Sequence, residues 1–267
     1  MRIINVEQLK KVLGDLPENP RVVASGNFAT PTVLLGAVDE VVAEYRLHML
    51  NAQKGLPDRE GVTYESAFVG PGMRGSERLD YIPCRLSLVP VLFRDHFHPD
   101  VVLLHASSRR FDTVSLGTEV NILPSAIESA RAHGGLVIVQ ANEQMPYTYG
   151  DAQIYEHEID YLVEVDETLP AHERGDLGDV ERVIGDRIAA LIEPNSTLQL
   201  GIGAVPDAVL AALTHIKGLR IWTEMFSDGV LDLHRGAHLM TRCRSPHPLS
   251  SARVNSTTGS TSIAACA

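Results

Sequence analysis

The sequence predicts an α/β fold with an open, mostly parallel sheet flanked by helices. Three observations predict it. Val101–Ala106 and Leu136–Ala141 are short runs of consecutive, mostly apolar residues, the pattern of strands covered on both faces. The stretches between such runs repeat their apolar residues at helical spacing. Two strands run straight into a glycine-containing turn and then a helix, at Gly26–Pro31 and at Gly201–Pro206, the punctuation of βα units.

In chain order, Val6–Leu13 reads as a helix, with Val6, Leu9, Leu13 and Leu16 near one face. Arg21–Ser25 is a short strand and Gly26–Thr30 a turn. Pro31 suits the first turn of the next helix, where its fixed φ and missing N–H cost nothing, and Thr32–Glu44 continues that helix. Tyr45–Asn51 and Glu65–Val69 are expected strands, the second ended by Gly70-Pro71-Gly72. The buried strand Val101–Ala106 follows. Leu123–His133 is a helix stopped by Gly134-Gly135, and Leu136–Ala141 is the second buried strand. Val180–Leu191 is a further helix, and Glu193-Pro194-Asn195 turns into the strand Thr197–Leu200. The charged segment Asp166–Asp179 is the expected linker. Residues 1–178 then form one domain, and residues 179–233 begin an incomplete second α/β domain carrying the glycine turn.

Composition narrows the function. The 267 residues are 44% apolar, with mean hydropathy near zero, as in a globular protein with a sizeable core. A net charge of −11 argues against nucleic acid and anionic membrane surfaces as partners. No apolar run reaches the roughly 18 residues of a membrane span, and the N-terminus lacks a signal-peptide core. Three cysteines without metal-like spacing point to a reducing, cytoplasmic setting. His96 and His98 have no third ligand nearby, so no metal is expected. From His234 onward there is no Asp or Glu, but there are four Arg and two of the three Cys. This atypical basic tail, residues 234–267, is read either as disordered or as the product of a shifted reading frame.

The chemistry concentrates near the C-terminal end. In Leu198-Gln199-Leu200-Gly201-Ile202-Gly203-Ala204-Val205-Pro206 a strand, a glycine turn and a helix start bring backbone amides to one point, where the helix dipole adds partial positive charge. Such a turn binds an anion or a developing oxyanion; it also serves as a tight connection without a ligand. Pro206 occupies the third glycine position of a dinucleotide fingerprint, which argues against NAD. Gly70–Ser76 has glycine spacing like a phosphate loop but no lysine. Glu224 lies 21 residues beyond Gly203, between a short apolar strand (Leu219–Thr223) and an Asp-Gly turn. A parallel β-α-β unit would open Gly201 and Glu224 on one sheet edge. The other reading of Glu224 is a solvated residue at a strand end.

These two stretches together resemble the paired motifs of the acetyl-CoA hydrolase/transferase family, which includes 4-hydroxybutyrate CoA-transferases. Asp80–Pro83, Pro99–Leu104, Ser115-Leu116-Gly117 and Asn142–Asp151 match further stretches of that family in the same order, so the resemblance covers roughly residues 1–233. It implies that Glu224 is the nucleophile and forms a glutamyl-CoA thioester. It also implies that Gly201, Ile202, Gly203, Ala204 and Val205 bind coenzyme A, a co-substrate and not a permanent cofactor. Acyl-CoA and a short-chain carboxylate are the implied partners, with transfer or hydrolysis as the outcome. Gly26, Asn27, Asn142, Met145 and Pro146 are candidates for the substrate pocket; a plain strand-end turn is the alternative for each. A homodimer is compatible with this reading. Family members continue well past the glutamate, so the resemblance leaves the second domain as a helix and two strands, too little for a core of its own. Two competing readings stay open: a truncated, non-catalytic remnant with Leu200, Ile202, Leu210, Leu213 and Ile221 exposed, and a small-ligand sensor on the same scaffold.

Overall fold

The computed structural model describes residues 1–171 and 175–240. They fall into two compact units, the first running from Met1 to Ala171.

The first unit is an α/β sandwich. Its elements are β1 (Arg2–Ile3), α1 (Val6–Leu13), β2 (Arg21–Ala24), α2 (Thr32–Val41), β3 (Tyr45–His48), β4 (Val62–Ser66), β5 (Leu79–Tyr81), α3 (Val89–Asp95), β6 (Val101–Ser107), β7 (Thr113–Ser115), α4 (Leu123–His133), β8 (Leu136–Asn142), β9 (Gln153–Tyr155) and β10 (Tyr161–Val165). Eight strands form one sheet in the order β1-β10-β8-β6-β2-β3-β4-β5, and every pair in it is parallel. Strands β7 and β9 make a separate antiparallel pair.

The consecutive apolar runs have a direct explanation. Val102 and Leu104 of β6 and Val137 and Val139 of β8 pack with Phe93 of α3 and Leu123 and Ile127 of α4. Val101, Leu103 and Ile138 point the other way and pack with Leu9 and Leu13 of α1 and Leu34 and Val38 of α2. Both faces are covered, so alternation disappears. Helix α1 starts at a reciprocal cap: the Asn5 side chain accepts from the Gln8 N–H at 2.9 Å, and the Gln8 side chain accepts from the Asn5 N–H at 3.0 Å. Helix α4 ends where the sequence predicts, on Gly134 in a left-handed conformation at φ +78°.

Several expectations need correction. The strand expected over Glu65–Val69 is Val62–Ser66, and the helix expected to reach Glu44 stops at Val41 because Val42 is extended and leads into β3. Strands β1, β5, β7, β9 and β10 and helix α3 are not anticipated; most are too short for their periodicity to register.

The topology sets where a ligand edge lies. From β2 the chain moves outward through β3, β4 and β5, then returns to β6 on the other side of β2 and moves away through β8 and β10. The strand order therefore reverses between β2 and β6, and the crevice at the carboxyl ends of those strands is where such sheets take ligands.

The second unit contains α5 (Asp179–Ala189), β11 (Thr197–Leu198), α6 (Ala204–Ala212), β12 (Arg220–Ile221) and α7 (Asp228–Arg235). Strands β11 and β12 pair in parallel, Thr197 opposite Arg220 and Leu198 opposite Ile221. The expectation that this part lacks a core is wrong. Ala189, Val209, Leu210, Leu213, Ile216, Leu219, Val230 and Leu233 are buried together. Leu210 and Leu213 are thus interior, whereas Ile202 is 57% exposed. The missing contribution is α7: the expected Asp228-Gly229 turn is its first turn, and α7 supplies Val230 and Leu233. The expected irregular tail is also ordered at its start. Helix α7 runs through His234 and Arg235, the Leu219 N–H donates to the His238 carbonyl at 3.0 Å, and the Met240 N–H donates to the Leu219 carbonyl at 2.8 Å. The rest of the tail, residues 241–267, lies outside the described residues. Among the described residues no helix is long and apolar enough to cross a membrane.

Candidate active site

The candidate residues fall into two groups, one on each unit. In the second unit, β11 and β12 run side by side and their last rungs bring two segments together. Arg220 N–H donates to the Ser196 carbonyl and Trp222 N–H to the Leu198 carbonyl, both at 2.9 Å. Beyond the strands, Thr223 Oγ1 accepts from the Leu200 N–H at 3.1 Å and donates to the Leu200 carbonyl at 2.8 Å. Gly201 and Glu224 are the next residues on the two segments, so they leave the ladder from adjacent points on one edge.

After Gly201 the chain turns into α6. Gly203 is the residue before the helix, at φ +117° and ψ −179°, and no side chain caps the helix there. The amides of Ala204 and Val205, in the first turn, have no carbonyl one turn earlier within the helix to bond. Residues 201–205 are exposed, and the helix dipole favours negative charge beside them. Glu224 is exposed in the bend after β12, and among the described residues no hydrogen bond or ion pair holds its carboxylate. Gly203 requires its glycine. Gly201 does not: a Cβ there would meet nothing nearer than Pro206 Cγ at 3.7 Å.

In the first unit, the loops after β2, β3 and β7 meet at the carboxyl edge beside the crevice. Asn27 Nδ2 donates to Glu119 Oε2 at 2.8 Å, Asn51 Nδ2 donates to Asn27 Oδ1, and Asn121 Nδ2 donates to Glu119 Oε1. Asn27 and Asn51 both adopt left-handed backbone conformations, at φ +48° and +45°. Burial pushes the Glu119 carboxyl above its usual range, against the pull of the two asparagine amides. Gly26 has a packing reason: a Cβ would lie 1.9 Å from the Leu50 carbonyl oxygen. Sequence reasoning passed over Asn51, Glu119 and Asn121, since isolated asparagines and a lone glutamate give no spacing signal.

Asn142 and Met145 are internal to this unit. Asn142 Oδ1 accepts from the amides of Gln144 and Glu167, each at 3.1 Å. Its Nδ2 donates to the Glu167 carbonyl at 2.8 Å and to His105 Nε2 at 3.1 Å. His105 in turn donates from Nδ1 to the Thr30 carbonyl at 3.2 Å, the neutral tautomer, and burial lowers its pKa further than the Thr30 carbonyl and Glu167 raise it. Glu167 and Asp166, at the start of the expected linker, are fastened to this unit by the Asn142 bonds and by Gln144 Nε2, 2.7 Å from Asp166 Oδ1. Met145 is buried with its sulfur where a Gly117 side chain would stand, and Pro146 is half-buried. The stretches Ser115–Gly117 and Tyr147–Gly150 are sewn together: Ser115 Oγ accepts from the amides of Gly117 and Thr148 at 3.1 and 2.9 Å, and Thr148 Oγ1 donates to the Gly117 carbonyl at 2.8 Å. A cleft of about 490 Å³ lined by Val12, His98, His133 and Tyr161 lies among the loops entering β6 and β8, at the sheet's opposite edge.

Comparison with known proteins adds a match to a family model and a set of similar proteins. Residues 57–172 match the acetyl-CoA hydrolase/transferase N-terminal domain. The chain is 36% identical over 252 residues to a 4-hydroxybutyrate coenzyme A transferase of Clostridium kluyveri, covering 90% of this chain and 58% of that protein. It is 36% identical over 239 residues to a succinyl-CoA:acetate/propanoyl-CoA:succinate CoA transferase of Fasciola hepatica, covering 84% of this chain and 49% of that one. The chain thus spans about half the length of these relatives. The crystal structure of a 4-hydroxybutyrate CoA-transferase from Porphyromonas gingivalis superposes with a TM-score of 0.70 at 28% identity, covering 98% of this chain and 62% of that one. RipA from Yersinia pestis shares the fold, with a TM-score of 0.81 at 22% identity over 90% of this chain and 60% of that one.

Proposed function

We propose, from the match of residues 57–172 to the acetyl-CoA hydrolase/transferase N-terminal domain, that this protein moves coenzyme A between short-chain carboxylic acids through Glu224. The observation that carries the reading is the adjacency of Glu224 and the Gly201–Val205 turn at the end of the β11–β12 ladder. One segment supplies a carboxylate, the other a helix N-terminus whose first-turn amides have no partner within the helix. That is the pairing needed by a nucleophile and the oxyanion it creates.

The chemistry follows from the two groups. A Glu224 oxygen adds to the thioester carbonyl carbon of an acyl-CoA, and the amides of the turn take the negative charge that develops on the carbonyl oxygen. The C–S bond breaks, leaving an acyl-glutamyl anhydride and the CoA thiolate. The thiolate adds to the glutamyl carbonyl, the anhydride C–O bond breaks, and the original acid departs as carboxylate, leaving a glutamyl-CoA thioester. An acceptor carboxylate then attacks that thioester and expels the thiolate to give a new anhydride. Attack of the thiolate on its acyl carbonyl yields the new acyl-CoA and regenerates Glu224. The carbonyl group stays activated throughout as anhydride or thioester, so no ATP is consumed. Water in place of the acceptor gives hydrolysis.

Incubation with acetyl-CoA and mass analysis of the peptide containing Glu224 tests this. The expected result is a gain equal to CoA less water, reversed by added acetate and absent in Glu224→Gln. Labelled acetate failing to exchange into acetyl-CoA, with no adduct on Glu224, would overturn the reading.

A further inference from the structure

The geometry points to Thr223 as a positioning residue: we propose that its hydroxyl clasps the backbone of Leu200 and so sets Glu224 against the first amide of the glycine turn. This rests on the reading of Glu224 as nucleophile.

In a parallel ladder the rungs alternate in direction. After the Trp222 amide has bonded the Leu198 carbonyl at 2.9 Å, the next rung would run from the Leu200 N–H to the Trp222 carbonyl. The Thr223 hydroxyl takes that N–H instead, at 3.1 Å, and gives its own proton to the Leu200 carbonyl at 2.8 Å. One side chain thus replaces a rung and grips both polar groups of a single residue. The two groups belong to different peptide planes. The Leu200 carbonyl shares its plane with the Gly201 N–H, and peptide planarity ties their directions. Rotation that would swing the Gly201 amide must therefore break the 2.8 Å bond.

The other end of the clasp acts on Glu224. Bonding at both functions of its hydroxyl fixes the Thr223 side-chain rotamer against the β11 segment, and with it the direction in which the chain enters Glu224. This matters because the ladder proper stops at Leu198 and Ile221, two residues short of Leu200 and Thr223. It matters also because no other described group holds the Glu224 carboxylate. A nucleophile with no side-chain anchor owes its placement to its backbone, and small displacements of a reacting group are costly in rate.

The test uses the 267-residue chain, acetyl-CoA as probe, and two substitutions. Thr223→Val keeps the branched shape and removes the hydroxyl; Thr223→Ser keeps the hydroxyl. The expected result is that Thr223→Val forms the Glu224–CoA adduct about 10- to 100-fold more slowly, with its melting temperature and half-saturating acetyl-CoA concentration unchanged, and that Thr223→Ser restores the rate. Hydrogen exchange at the Leu200 amide should quicken in the valine variant alone. Labelling of Thr223→Val at the wild-type rate overturns the proposal, as does a serine variant as slow as the valine one. Faster exchange at Leu200 with unchanged labelling also overturns it, since the clasp would then be a staple without bearing on Glu224. A wild-type chain that forms no adduct sinks the reading of Glu224 and the proposal with it; the valine result separates the two failures whenever the wild type reacts.

Discussion

Gly203 and Gly201 are separated by one residue and answer to different constraints. Gly203 holds φ +117° with ψ −179°, a conformation open almost only to glycine, so a side chain there imposes strain of about 1–3 kcal/mol. Gly201 has room for a methyl group, its nearest neighbour being Pro206 Cγ at 3.7 Å. The pair therefore separates fold from ligand. Gly203→Ala is expected to lower the melting temperature of the second unit, and Gly201→Ala to leave it unchanged. Both should slow adduct formation with acetyl-CoA, the first by distorting the turn and the second by crowding the thioester. Thermal melting monitored by hydrogen exchange in α6, alongside the labelling rate, checks both. At this scale the sequence is informative in part. A glycine pair after a strand announces a turn that presents amides, but not which glycine is conformationally obligatory, because φ depends on how the following helix is entered. Thr223 was hidden for a similar reason: a threonine at a strand end is ordinary until its hydroxyl is found on the backbone opposite.

The elements of the second unit depend on one another. Leu210 of α6 is 1% exposed and packs in a core that, among the described residues, has eight buried members drawn from α5, α6, α7 and the segments around β12. So small a core has little reserve. Leu210→Ala should cost about 2–5 kcal/mol and release the amides of α5, α6 and α7 to exchange together, while those of β6 and β8 in the first unit keep their protection; site-resolved hydrogen exchange measures both. Elements with strong boundary chemistry were readable in advance. Helix α4 has Pro124 in its first turn and a left-handed Gly134 after its last, and both marks are visible in the sequence. Strand β10 and helix α7 were not, although both supply core residues. Tyr161–Val165 carries an outward Glu164 amid its apolar residues, which blurs the buried-strand pattern. Asp228-Gly229 opens α7 with a dipeptide that reads as a turn, and the helix's buried positions emerge only against α6.

Across the whole of the first unit, the buried ionic cluster at Arg21, Glu65 and His48 joins β2, β3 and β4. Arg21 Nε and a guanidinium terminal nitrogen donate to Glu65 at 2.8 and 3.1 Å, and His48 Nδ1 lies 3.7 Å from Glu65 Oε2, too far for a hydrogen bond. Burial alone would raise the Glu65 pKa, but His48 and Arg21 outweigh it and hold the carboxyl at about 2 against an ordinary 4.5. A depressed carboxyl stabilises the fold above its unfolded pKa and loses that contribution as pH falls toward its folded one. The part of the first unit's stability that Glu65 contributes should therefore hold steady above about pH 5 and decline between about pH 4.5 and 2, with up to about 3 kcal/mol at stake; calorimetry across that window checks it. The strand order carries a further consequence. Arg2 pairs with Tyr161, and Ile3 with Leu162, so within this sheet the strand earliest in the chain is joined to the one latest in it. On the ribosome β1 must wait, unpaired, until nearly the whole unit has been translated. Contacts so distant along the chain slow folding and leave intermediates open to wrong partners. A nascent chain stopped before residue 161 would keep one flank of β8 bare, and it is there that a chaperone, or an aggregate, would first take hold.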